Sequence, residues 1–238
     1  MDPIWLRLAG SACCGVLKFH SFILASSKLA TGLDVVLKIG LTGGVASGKT
    51  TISNLFSQQG VPIIDTDILS RRLLEIDQPG YAQAVQHFGN GILQQDGQID
   101  RRQLRHLIFS SEAEKLWLET ILHPMIYRQT QHQIAQNSSA DYVIVVIPLL
   151  FEANFQSLID RILVVDCSEQ TQIERLTRRD KIDPELASKM LAQQWSNKDR
   201  LKQADDVIGN DQNQNLEEQV DSLHEKYKSM VINGVSLD

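Results

Sequence analysis

Cysteine is scarce in this sequence: its 238 residues contain three, Cys13, Cys14 and Cys167. They form no C-x-x-C pair and have no nearby histidine pattern of the zinc-binding kind, so we expect no zinc site. Such sparse cysteines indicate a reducing compartment, which predicts a cytoplasmic protein. Cys167 closes an apolar run, and this position favours a small packed residue over a nucleophile.

A surplus of basic residues is also missing. The chain has 23 Lys and Arg residues against 29 Asp and Glu residues, which gives a formal net charge of −6. Proteins dedicated to nucleic acids or anionic membranes usually carry a basic surplus, so we expect neither partner. An anionic ligand would have to be held by a local cluster of basic side chains.

The first 34 residues lack an apolar run long enough to cross a membrane. They are apolar and rich in serine, but Arg7, Lys18 and His20 interrupt the apolar stretches. Two interpretations stay open, a targeting segment and a translated stretch upstream of the true start. We therefore assign residues 1–34 to an N-terminal extension and expect the folded domain over residues 35–238.

The sequence does contain a glycine-rich loop. Residues Gly43 to Thr50 match the phosphate-binding pattern G-x-x-x-x-G-K-[ST] at every fixed position, between an apolar run and a helical pattern. Successive backbone N–H groups of such a loop can surround the β-phosphate of a nucleoside triphosphate. The predicted phosphate-binding residues are Gly43, Gly44, Val45, Ala46, Ser47, Gly48, Lys49, Thr50 and Thr51.

Two side chains of this loop have separate predicted roles. The Lys49 ammonium should reach the β- and γ-phosphates, and the Thr50 hydroxyl is placed to ligate Mg²⁺. The alternative is a glycine-rich turn with an exposed lysine. The complete pattern and its strand-to-helix context favour the phosphate-binding interpretation.

Strand and helix patterns alternate after the loop. We predict strands near residues 35–41, 62–64, 142–147, 162–165 and 206–208. Alternation of this kind predicts an α/β fold with a parallel five-stranded sheet, whose ligands bind beyond the carboxyl ends of the strands. A helical insertion is predicted at about residues 81–136, with an interruption or kink at His123-Pro124.

An aspartate pair follows the second predicted strand. Phosphoryl transfer to a hydroxyl needs a group that orients the hydroxyl and accepts its proton, and it needs oxygen ligands for Mg²⁺. We assign Asp67 as the base and Asp65 as support for the metal or the base. Capping of the next helix is the other interpretation of the pair, and it does not exclude catalysis.

Three arginines share one side of a predicted helix at about residues 169–179. The spacing of Arg175, Arg178 and Arg179 suits a lid that closes over phosphates, because guanidinium groups fit phosphate oxygens. A solvated basic face is the alternative. His123 could contact a ligand or fill a kink, and Glu152 could contact a substrate or a metal-bound water.

Together these motifs resemble the dephospho-CoA kinase family over nearly all of residues 37–231. The motifs are Ile39 to Thr51, Ile64-Asp65-Thr66-Asp67, Asp100-Arg101 leading to Ile108-Phe109, His123-Pro124, Pro148-Leu149-Leu150-Phe151-Glu152, Val164-Val165-Asp166, Arg175 to Asp180, and Gln194 through Asp205-Asp206 to Asn210. The loop alone is shared by many families, whereas the ordered set is much more specific.

The resemblance implies a P-loop NTPase three-layer sandwich with a helical substrate-binding insertion and a lid at about residues 169–200. It implies transfer of the ATP γ-phosphate to the ribose 3′-hydroxyl of dephospho-CoA, by a monomer or weak homo-oligomer. Asp67 matches the proposed catalytic aspartate of the family, Arg175 and Arg179 match lid arginines, and Asn210 matches a contact to the ATP base. His123 and Glu152 are assigned to the substrate.

Two departures from the family pattern bear on the site. Glycine is common where Ala46 stands, and alanine fits there if its φ is negative. Glycine is also common soon after the asparagine, where this chain has Asp211 and Gln212. Two alternative functions remain open: another small-metabolite kinase, such as a nucleoside or nucleoside monophosphate kinase, and a nucleotide-dependent switch.

Overall fold

The structure is a computed structural model that describes residues 36–211 and 214–232. The expectations for residues 1–34, which include Cys13 and Cys14, and for Gln212 lie outside these residues.

The described residues form one parallel sheet, as the alternating pattern predicted. Its strands are β1 (Leu37–Gly43), β2 (Ile63–Asp65), β3 (Tyr142–Val146), β4 (Arg161–Asp166) and β5 (Asp206–Gly209), in the order β2-β3-β1-β4-β5. All four strand pairings are parallel. The carboxyl ends of the strands therefore meet at one edge of the sheet.

Helices cover both faces of this sheet. They are α1 (Lys49–Gln58), α2 (Thr66–Leu73), α3 (Pro79–Phe88), α4 (Arg101–Ser110), α5 (Glu112–Gln136), α6 (Glu169–Asp180), α7 (Pro184–Ala192), α8 (Asn197–Leu201) and α9 (Leu216–Ile232). Short 3₁₀ turns occur at Asn90–Ile92 and Phe155–Leu158. None of the helices in the described ranges is long and apolar enough to span a membrane.

Strand β3 shows how the three layers form. Its Val143 and Val145 pack into the core under α2 to α5, whereas its Ile144 and Val146 pack into the core under α1 and α9. Successive side chains of a strand point to opposite faces, so an unbroken apolar run serves two cores at once. The three-layer α/β fold predicted from the sequence is confirmed.

Helix α5 is not interrupted at its proline. The sequence predicted an interruption or kink at His123-Pro124, and the interruption is wrong, because α5 continues through Pro124 as one helix. Proline removes one backbone hydrogen bond from a helix. The buried residues Leu118, Leu122 and Ile126 lie on both sides of the proline, and their packing retains the helix across it.

Candidate active site

The glycine-rich loop joins β1 to α1, as predicted. Gly48, at the N-terminus of α1, has φ 101°, a value that favours glycine. A Cβ atom at this position would also lie 1.9 Å from Nδ2 of Asn210. The close approach of Asn210 and the positive φ both require glycine here.

Ala46 does not meet the condition under which alanine fits this position without strain. That condition was a negative φ, and the residue has φ 56°, in the left-handed region. A non-glycine residue there carries backbone strain of about 1–2 kcal/mol. Ala46 lines the cleft next to Gly48, Lys49 and Thr50, so the strain lies in the phosphate-binding loop itself.

The Lys49 ammonium folds back onto the loop. Its Nζ donates to the backbone oxygens of Gly43 at 2.7 Å and Gly44 at 2.9 Å. Burial lowers its pKa to about 8, and the positive charge of Arg200 adds to this effect. The lysine is therefore a cation held at the base of the loop, beside the place where phosphates would lie.

Asp65 and Asp67 stand where β2 passes into α2. The Oδ1 atom of Asp65 accepts hydrogen bonds from the backbone N–H groups of Asp67 at 2.8 Å and Ile68 at 3.2 Å. Asp65 thus caps α2, as the alternative interpretation proposed. Burial, and to a smaller extent the negative charge of Asp65, raises the pKa of Asp67 to about 7. The positive charge of Lys49 opposes this shift.

A cleft of about 580 Å³ opens between the loop, the start of α2 and helix α6. Both aspartates line it. Its basic side chains are Lys49, Arg71, Arg175, Arg178 and Arg179. The net charge of the cleft is therefore positive although that of the whole chain is negative, which is the local cluster that an anionic ligand requires.

One of the predicted lid arginines, Arg175, binds the loop directly. Arg175 Nη2 donates to the backbone oxygen of Asn210 at 2.9 Å, and its Nη1 donates to that of Ser47 at 3.4 Å. The side-chain amide of Asn210 also donates to the Ser47 oxygen, at 2.6 Å. Arg179 pairs with Asp180 at 2.7 Å and lies close enough to Lys49 to lower its pKa.

The other residues predicted to bind phosphate differ in where the structure places them. The backbone N–H of Val45 donates to Oε1 of Gln194 at 2.9 Å, so this N–H already has a hydrogen-bond partner within the protein. Thr50 lines the cleft at the start of α1, whereas Thr51 is exposed and does not line it.

Glu152 and His123 lie away from the main cleft. Oε1 of Glu152 accepts from the backbone N–H of Trp195 at 3.2 Å and lies 3.7 Å from Nη2 of Arg200. His123 shares a small apolar cavity of about 30 Å³ with Asp67 and Phe155. Burial lowers the pKa of His123 to about 4, so its imidazole is neutral near pH 7.

The cleft holds oxygen ligands that suit Mg²⁺. Thr50 and Asp65 both line the cleft, and Mg²⁺ is usually held by one or two protein oxygens together with water and substrate phosphates. Groups of three or more His, Cys, Asp or Glu side chains that could hold a metal are absent from the described residues. A metal bound mainly through phosphates fits this donor set.

Sequence reasoning did not single out Arg71 and Arg200. Arg71 stands four residues after Asp67, and i,i+4 spacing on a predicted helix could have placed both on one face. Arg200 is 2% exposed and comes from the far end of the chain. Its proximity to Lys49 depends on tertiary packing, for which the sequence carries no local signal.

The fold and the site together define a class of protein. A phosphate-binding loop, a buried carboxylate beside it and an arginine-bearing helix across the cleft are the parts of a P-loop kinase. A sequence profile of the dephospho-CoA kinase family matches residues 37–216. The chain belongs to the dephospho-CoA kinase family, and it is therefore a kinase of coenzyme A biosynthesis.

A curated relative supports this assignment, and two solved structures share the fold. A dephospho-CoA kinase from Vibrio parahaemolyticus is 47% identical over 198 residues, which are 82% of this chain and 97% of that protein. The crystal structure of TT1252 from Thermus thermophilus superposes with a TM-score of 0.70 at 25% identity, over 80% of this chain and 97% of the other. A dephospho-CoA kinase from Campylobacter jejuni shares the fold, with a TM-score of 0.62 at 23% identity over 81% of this chain and 97% of the other.

Proposed function

We propose that this kinase transfers the γ-phosphate of ATP to the 3′-hydroxyl on the ribose of dephospho-CoA, giving coenzyme A and ADP. The observation that carries the proposal is the position of Asp67, which lines the same cleft as the phosphate-binding loop and is 9% exposed. A pKa of about 7 makes its carboxylate a base matched to neutral pH. Asp67 would orient the ribose hydroxyl and accept its proton.

The cations of the cleft would act on the donor. Lys49 would leave the carbonyl groups of Gly43 and Gly44 and bind the β- and γ-phosphates of ATP. Arg175 and Arg179 would approach the same phosphates from α6, where guanidinium groups stabilise the charge that develops during transfer. Asn210 would lie beside the ATP base, close to the loop that it already contacts through Ser47.

Thr50 and Asp65 are the residues that would hold Mg²⁺. When bound there, the ion would supply positive charge that neutralises part of the negative charge of the phosphates. Asp65 also fixes Asp67, because it accepts the backbone N–H of that residue.

Helices α3, α4 and α5 would bind the acceptor, and α6 with α7 would form a lid. His123 and Glu152 would be substrate contacts only if the acceptor reaches the cavity beside Asp67 or displaces Arg200. A cytoplasmic location and a monomer or weak homo-oligomer complete the proposal. Size-exclusion chromatography with light scattering tests the oligomeric state.

The decisive experiment measures ADP release from ATP and Mg²⁺ by the purified protein. Dephospho-CoA is compared with adenosine and several nucleoside monophosphates as acceptors, and mass spectrometry locates the added phosphate. We expect release specific to dephospho-CoA, with the phosphate on the ribose. Transfer to a monophosphate instead would reassign the substrate, and failure with every acceptor would favour a nucleotide switch.

A further inference from the structure

Two arginines lie together where α2 meets α4, and one of them, Arg71, lines the cleft. Arg71 belongs to α2, and Arg101 is the first residue of α4. The Nη2 atom of Arg101 donates to the backbone oxygen of Arg71 at 3.4 Å. Burial lowers the pKa of Arg101, the positive charge of Arg71 lowers it further, and the carboxylate of Glu75 opposes the shift.

Such a pair is electrostatically unfavourable. Like charges repel each other, and partial burial weakens the screening by water. The nearby carboxylate of Glu75 is one charge against two. An anion with two negative groups would remove the repulsion and satisfy both guanidinium forks.

The position of Arg71 relative to Asp67 indicates which anion this is. The two residues are four apart on α2 and both line the cleft, so they lie on one face of the helix, about one turn of 5.4 Å apart. In dephospho-CoA the ribose carries the acceptor 3′-hydroxyl and, across the sugar ring, a 5′-diphosphate. A hydroxyl at Asp67 would therefore bring the diphosphate toward Arg71.

The arginines of α6 belong to the other substrate. Arg175 binds the loop through Ser47 and Asn210, and Arg179 lies near Lys49. These contacts put α6 beside the triphosphate, whereas Arg71 stands on α2 beyond Asp67. The cleft thus has one set of cations for each substrate.

We propose that Arg71 and Arg101 form the subsite for the diphosphate of dephospho-CoA. Arg71, which lines the cleft, binds the phosphate nearer the ribose, and Arg101 binds the phosphate nearer the pantetheine arm. The pantetheine arm then runs toward α4 and the other helices between β2 and β3. This inference rests on the proposed function, since it names how that same acceptor is recognised.

The test compares Arg71→Gln and Arg101→Gln with matched controls in the full-length protein. Arg72 and Arg102 are the next residues along the same helices and are exposed, so Arg72→Gln and Arg102→Gln remove the same charge outside the cleft. The measurements are KM for dephospho-CoA, KM for ATP, and kcat. Calorimetric titration of each protein with dephospho-CoA gives the binding constant without catalysis.

We expect each subsite variant to raise KM and Kd for dephospho-CoA about tenfold or more, because a charge-assisted hydrogen bond is lost. KM for ATP should stay within about twofold, and the controls should match the wild type. Arg71→Lys should recover part of the affinity, because it keeps the charge but loses the fork. It also serves as the test if Arg71→Gln does not fold.

Three results would overturn the subsite. They are an unchanged KM for dephospho-CoA, an equal rise in KM for ATP, and a fall in kcat alone. A failure of the proposed function would look different, because the wild type itself would neither bind dephospho-CoA in the calorimeter nor transfer phosphate to it.

Discussion

Gln194 and Val45 are joined by a hydrogen bond of 2.9 Å from the backbone N–H of Val45 to the Gln194 side chain, across 149 residues of sequence. Val45 belongs to the phosphate-binding loop, and Gln194 follows α7. The next residue, Trp195, donates its N–H to Glu152 after β3. Hydrogen bonds therefore connect the segment after α7 both to the phosphate-binding loop and to the residues that follow β3.

Removal of this bond should loosen the loop. In Gln194→Ala we expect the KM for ATP to rise severalfold and the free energy of unfolding to fall by about 1 kcal/mol, because a buried N–H loses its partner. Gln193→Ala is the matched control, since Gln193 is exposed. Equal KM values for the two variants would show that the bond does not support nucleotide binding.

Substitutions of Asp67 and of Lys49 should have different effects on ATP binding and on phosphate transfer. Asp67→Asn keeps the shape of the side chain but removes the base, so we expect ATP binding to persist while transfer falls by about 10²-fold or more. Lys49→Ala removes the cation beside the phosphates and should weaken both. Calorimetric titration with ATP and initial rates separate the two effects, and unchanged transfer in Asp67→Asn would exclude Asp67 as the base.

The same substitution should not destabilise the protein at pH 8. The pKa of Asp67 is raised from its ordinary 3.8 to about 7, so the folded protein binds a proton more tightly than the unfolded chain. Ionisation therefore costs stability as the pH rises from about 4 to about 7. Asp67→Asn avoids that cost, and we expect its Tm at pH 8 to equal or exceed that of the wild type. A clear loss at pH 8, without one at pH 4, would contradict the raised pKa.

The pH profile of kcat/KM should be bell-shaped. Its acid limb should rise with the ionisation of Asp67 near pH 7, because only the carboxylate accepts a proton. The alkaline limb should fall as Lys49, with a pKa of about 8, loses the charge that binds phosphate. Asp67→Asn should flatten the acid limb in the residual activity. If that limb persists in the variant, another group controls it.

Much of the fold and part of the site were predictable because their signals are local. The loop from Gly43 to Thr50 carries its own turn chemistry, and its apolar flanks fix the strand and the helix around it. Asp65 and Asp67 follow a strand end, which parallel topology brings to the ligand edge. Each of these steps needs only neighbours in sequence and a parallel sheet.

The rest depends on contacts between distant segments. Glu152 was expected to face the ligand, but its Oε1 accepts from Trp195, and it lies beside Arg200 from α8. The φ of Ala46 follows from how the loop closes over α1, and alanine itself gives no sign of it. The sequence predicted an interruption or kink at Pro124, and the helix continues there because of packing on both sides, which cannot be read from the proline itself.

Ala46 offers a test of strain in the loop. With φ 56°, glycine should fit better than alanine, so we expect Ala46→Gly to leave stability unchanged or to raise it by about 0.5 kcal/mol. Ala192→Gly is the contrast, because glycine in the last turn of α7 should cost up to about 1 kcal/mol. Chemical denaturation measures both. A loss in Ala46→Gly as large as that in Ala192→Gly would argue against strain at this position.

The pair of Glu152 and Arg200 tests the contact between the segment after α7 and the residues that follow β3. Arg200 is 2% exposed, and its Nε and Nη2 atoms have no hydrogen-bond partner among the described residues. Removal of the Glu152 charge leaves that of Arg200 buried and uncompensated, so Glu152→Gln should cost about 3–5 kcal/mol of stability. Arg200→Met should cost less, because the remaining Glu152 is only partly buried. The double variant should lose clearly less than the sum, because no lone charge remains. Lys189→Met, which breaks an exposed pair with Glu185, should cost little. Urea unfolding gives the four free energies, and strictly additive losses would mean that Glu152 and Arg200 stabilise the fold independently of each other.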